Sequence, residues 1–96
     1  MKRIPDKLPG GDLVAAGIKD LAKGRATVAA LLVSIGAPRL RSGGLAIPKA
    51  AADPEHRLYA LLRRWGSDSA HSRYNALIRR LVSFERALGK FIADNA

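Results

Sequence analysis

The sequence predicts an all-α fold: a small four-helix domain with a buried second helix, a long C-terminal helix and a loose N-terminal arm. Three observations carry that reading. Tyr74, Leu77, Leu81, Phe84, Leu88 and Phe91 recur three and four residues apart, the spacing of one face of an amphipathic helix. The run from Val28 to Ile35 has a single polar residue, Ser34, as a helix covered on nearly every side requires. No segment alternates apolar and polar residues as a half-buried strand does.

Pro5, Pro9, Gly10 and Gly11 punctuate residues 1–11 and predict an extended arm there. Residues 12–96 form a single helical domain. Asp12 reads as the N-cap of the first helix, with Leu13, Val14, Gly17, Ile18 and Leu21 on its apolar side and Lys23-Gly24 at its end. Thr27 caps the second helix, Val28 to Ile35. Gly36-Ala37-Pro38 is expected to break that helix, because proline lacks the N–H a helix interior needs. Arg39 to Ser42 then make one further turn before Gly43-Gly44, and Leu45 to Ala52 are the most linker-like stretch of the interior.

Asp53-Pro54-Glu55 is a strong helix start: a capping carboxylate, proline at the first helical position and an acid at the positive end of the dipole. Leu58, Leu61, Leu62 and Trp65 form the apolar face of this third helix, and Gly66 ends it. Trp65 is read as a core residue on that face or, if exposed, as an anchor for a partner protein. Ser67-Asp68-Ser69 opens the fourth helix, from about Ala70 to about Ile92. Short connections favour antiparallel neighbours for the first two helices and for the last two.

The 96 residues suffice for one domain, with only five aromatics, so the core must be mostly Leu, Ile, Val and Ala. There is no cysteine, which excludes disulfides and thiolate metal sites and fits a cytoplasmic location. The most apolar run, Ala26 to Ala37, falls short of the ~18 residues of a membrane span. The net charge is +9, and residues 1–53 and 54–92 each carry +5. Such a balance favours nucleic acid, acidic membranes or an acidic protein as partner.

Arg79 and Arg86 fall along one flank of the fourth helix, and Arg73 and Arg80 along the other. Arg63 and Arg64 can join them from the end of the third helix. Rows of this kind track phosphates; equally, their aliphatic stems border a buried stripe. Glu85 lies inside the stripe, between Leu81 and Leu88. A buried carboxylate must be paired or protonated, and Arg39, Arg41 and Arg57 are candidates to pair with it. A partner's basic residue is another.

The turn from Ile35 to Arg41 superficially resembles a helix-turn-helix, although Gly43-Gly44 leaves its second helix only about one turn. Arg64 and His71 distantly resemble the Arg–His pair of HEPN-domain ribonucleases. That resemblance covers two residues, and Gly66 interrupts the helix between them. No metal-ligand spacing, glycine-rich phosphate loop or nucleophile–base arrangement is present, so no cofactor, metal or catalysis is expected. The sequence predicts a helical interaction module that binds a protein partner or itself through part of the fourth helix, with Trp65 and Glu85 as candidate contacts. The alternative is a nucleic-acid-binding protein using the six arginines.

Overall fold

A computed structural model describes residues 8–94. Among them there are four helices and no strand: α1 Gly11–Ala22, α2 Val28–Ser42, α3 Pro54–Trp65 and α4 Ala70–Asp94. The predicted arm falls mainly on residues 1–7, which lie outside the described residues. Leu8 accepts a backbone hydrogen bond from Gly11 at 3.0 Å, so the chain already turns into α1 there.

The N-cap of α1 is Gly10, not Asp12. Gly10 sits in the left-handed region at φ 77°, where glycine meets no Cβ penalty. Asp12 falls in the first turn, where its charge suits the helix dipole, and its carboxylate meets Arg80 at 3.4 Å. Thr27 caps α2 as expected: its hydroxyl accepts from the Ala30 N–H at 3.1 Å and donates to Asp20 at 2.7 Å. One side chain thus closes the start of α2 and ties it to the end of α1.

The expected break in α2 does not occur. The helix runs through Gly36, Ala37 and Pro38 to Ser42. Pro38 cannot donate to the Ser34 carbonyl, and proline inside a helix costs about 3 kcal/mol. Burial opposes that cost. Ala37 and Leu40 are almost wholly covered, and both lose their places if the chain turns at Pro38. The proline ring itself faces outward. The turn that would make a helix-turn-helix is therefore absent.

Asp53 starts α3 without its side chain acting as a cap. Its backbone is left-handed, φ 49°, and Pro54 takes the first helical position. The connection before it is held to α2. The Ser34 hydroxyl donates to the Ala30 carbonyl at 2.8 Å and accepts the Ala51 N–H at 3.0 Å. Arg41 donates to the carbonyls of Ile47 and Pro48, and Leu45 is buried.

The central helix is α2, which packs on each of the other three. Contacts between Asp20 and Thr27, and between Gly17 and Ala29 and Val33, run α1 antiparallel to α2. Gly36 faces Leu81, and seven residues further along Gly43, the C-cap of α2, faces Leu88, so α4 runs parallel to α2. The core comprises Val14, Leu31, Leu32, Val33, Leu40, Leu58, Leu62, Leu81, Phe84 and Leu88 with a few smaller residues. It takes its side chains from all four helices, so none can be removed without exposing the rest.

Candidate functional site

Two helix ends outrun their neighbours, the C-terminus of α4 and the C-terminus of α3. At 25 residues α4 is much longer than α2 at 15. At the C-terminal end, Leu88 already lies against Gly43, one residue past α2. Beyond it Phe91, on the same stripe, is 43% exposed. At the other end, α3 passes the start of α2. Arg64 and Ala26 border one cleft with Leu31, Arg57, Ala60 and Leu61. One residue further, Trp65 is 64% exposed. The expectation that Trp65 belongs to the core is therefore corrected. It lies in line with Leu58, Leu61 and Leu62 on its helix, yet most of its surface meets solvent.

Between these ends, the seam of α2 and α4 opens into a groove with two arms. One arm, about 320 Å³, is lined by Ile35, Gly36, Pro38, Ile78, Leu81 and Val82. The other, about 390 Å³, continues past Ser42, Gly43, Arg86, Leu88 and Gly89. Arg39, Val82 and Glu85 are common to both, so the Glu85 carboxylate stands at the junction.

Glu85 is covered, its side chain only 11% exposed, while its partner Arg39 is 78% exposed. The Arg39 Nη1 to Glu85 Oε1 separation is 3.7 Å, an ion pair beyond hydrogen-bond distance. Among the described residues Glu85 accepts no hydrogen bond. Burial pushes its carboxyl above the usual glutamate range, and Arg39 offsets that only in part. Of the three arginines expected as partners, Arg39 is the one that pairs. Arg41 and Arg57 donate instead to backbone carbonyls at 2.8 and 3.4 Å. Since Arg39 stays in water, removing Glu85 leaves no buried arginine unpaired.

The six arginines are all exposed: Arg63, Arg64, Arg73, Arg79, Arg80 and Arg86. They do not converge on one face. Arg79 and Arg80 are consecutive, so the two rows they head lie about 100° apart around α4. Arg80 is engaged by Asp12, and Arg64 turns toward the cleft beside Ala26. His71, Ser72, Arg73 and Asn75 are exposed at the start of α4, and Tyr74 packs edge-on against Tyr59 with ring centroids 5.8 Å apart. Burial first, then the charge of Glu55, raises the Tyr74 hydroxyl above its ordinary value.

Among the described residues no three His, Asp or Glu side chains gather as a metal site, and no helix is long and apolar enough to cross a membrane. Compared with protein-family models, curated proteins and solved structures, the chain matches none.

Proposed function

We propose that this chain is a small protein-interaction module that presents Trp65 and the α2/α4 seam to a partner protein. The observation that carries this reading is the exposure of Trp65, at 64%. An indole left in water forgoes the gain of burying a large apolar surface. Tryptophan is enriched among the few side chains that dominate the energy of protein interfaces. Trp65 is the last residue of α3.

The experiment is affinity enrichment with the wild-type chain, Trp65→Ala, and the double variant Arg79→Ala/Arg86→Ala, followed by reconstitution of each enriched complex from purified components. The reading expects a protein partner that is lost with Trp65→Ala and kept by the arginine pair. Loss with the arginine pair alone contradicts it.

A second reading, nucleic-acid binding, draws support from the exposure of the six arginines and the net charge of +9. Its signature is affinity that falls steeply with salt, since each phosphate contact releases counterions. Arg79→Ala/Arg86→Ala then weakens binding to all sequences about equally. The division of the arginines over two rows favours the protein reading.

A further inference from the structure

The geometry points to the α2/α4 groove as a receptor for a lysine or arginine side chain carried on an apolar segment of a partner protein. This inference rests on the interaction reading above and adds the chemistry of the partner at a place distant from Trp65.

The walls and the floor make different demands. Ile35, Pro38, Ile78 and Val82 line the arm of about 320 Å³ and offer apolar contact to an aliphatic stem. At the inner end of that arm stands Glu85, with its side chain 11% exposed. Its oxygens accept no hydrogen bond from any described residue. No described side-chain oxygen is both fully buried and unpartnered, so these acceptor positions open onto the groove, where a cation can donate a charge-assisted hydrogen bond in place of water. Gly36 makes this placement possible: a β-carbon there would lie 3.0 Å from Oε2 of Glu85. The helix backbone has been kept bare where the carboxylate needs the space.

The internal cation does not meet the demand. Arg39 lies 3.7 Å from Oε1, too far to donate, and its own side chain is 78% exposed. It screens Glu85 from one side while most of its own side chain reaches into water. The charged groups lining the groove are Arg39, Glu85 and, in the second arm, Arg86. The arm lined by Ile35, Pro38, Ile78 and Val82 holds no basic group except Arg39, so an incoming ammonium or guanidinium enters there. An acidic group is repelled by Glu85, and a purely apolar segment leaves the carboxylate covered and unpaired.

Binding therefore replaces a loose ion pair with a charge-assisted hydrogen bond, and Arg39 competes with the ligand. A merely structural Arg39–Glu85 pair predicts that loss of either member does equal harm. The receptor reading predicts opposite signs.

The test uses the full chain, labelled for amide NMR, and short synthetic peptides of leucine and alanine with one central lysine, norleucine or glutamate. With the lysine peptide, the amides of Gly36 and Val82 should shift and saturate. Affinity should fall about tenfold or more with Glu85→Gln, with norleucine and with glutamate, the loss of one charged hydrogen bond. It should rise with Arg39→Ala. Equal binding by the norleucine peptide, indifference to Glu85→Gln, or no saturable shift at Gly36 and Val82 overturns the inference. So does finding, by sedimentation without peptide, that self-association alone moves the same amides, because the occupant is then a second copy. Trp65 is the last residue of α3, and Ala70, which opens α4 after it, lies roughly 22 Å from Glu85 along α4. Failure at the groove therefore leaves the Trp65 reading to its own test, and shifts confined to Trp65 and its neighbours refute only the groove.

Discussion

Gly36 and Glu85 meet where α2 crosses α4, and a β-carbon at position 36 would stand 3.0 Å from Oε2 of Glu85 and 2.9 Å from Cδ1 of Leu81. Both neighbours are the ends of flexible side chains. At Gly17 the same β-carbon would run into the Ala29 carbonyl and Val33. Backbone cannot rotate away. Gly17→Ala should therefore destabilise by about 1–3 kcal/mol through overpacking, despite the helix propensity gained. Gly36→Ala should lose clearly less, because the Leu81 and Glu85 side-chain ends can give way. Chemical denaturation of both variants checks the order, and equal losses contradict it.

Thr27 serves two partners, the Ala30 N–H and the Asp20 carboxylate. Thr27→Ala removes the cap of the central helix and should destabilise by about 0.5–2 kcal/mol. Thr27→Ser keeps the oxygen and should recover most of that loss. Thermal unfolding of the two variants side by side gives the comparison.

Phe84 is wholly buried, whereas Phe91, on the same stripe, is 43% exposed. Phe84→Ala should cost about 3–5 kcal/mol, enough to unfold a domain of this size. Phe91→Ala should cost much less. Circular dichroism at increasing urea distinguishes them, and similar midpoints would mean that the end of α4 is covered in solution.

Much of this was legible in the sequence, and the failures share a cause. The stripe on α4, the Thr27 cap and the Asp53-Pro54 start are local or periodic signals, and they located the helices well. Proline and glycine rules placed a break at Gly36 to Pro38, yet Ala37 and Leu40 are buried only if the helix continues. Tertiary burial outweighed a local rule. Trp65 stands in line with the apolar residues of α3, but periodicity says nothing about how much of that face the neighbours cover. The same blindness applies to Phe91. For Glu85, the sequence identified an anomalous carboxylate and named Arg39 among its possible partners. It did not contain the 3.7 Å separation or the exposure of Arg39 that make the pair loose.

The loose pair has a pH signature. Burial raises the Glu85 carboxyl, and Arg39 lowers it less. The native state then binds the proton more tightly than the unfolded chain does. Stability falls as pH rises from the ordinary glutamate range through the raised native value, and the loss is complete above it. Glu85→Gln stays neutral at every pH and should be more stable than the wild type near neutrality. The gap should close in acid, where both chains carry no charge at position 85. Thermal unfolding of the two proteins between about pH 3 and pH 8 reads it directly. A gap of the same size at every pH contradicts the account.

Trp65 should contribute little to folding. Trp65→Ala should change stability by no more than about 0.5 kcal/mol, as for a surface substitution. Its fluorescence, the emission of the only tryptophan in the chain, should be that of an indole in water and should be readily quenched by iodide. Blue-shifted, protected emission would mean that the side chain is covered.

The most direct measurement of the central claim is site-specific photo-crosslinking in extract of the host cell. A photoreactive side chain replaces Trp65 in one preparation and Ala22, exposed at the end of α1, in another. The interaction reading predicts discrete protein adducts from position 65 and none of the same mass from position 22. Adducts to nucleic acid from position 65, or the same protein adducts from both positions, would contradict it.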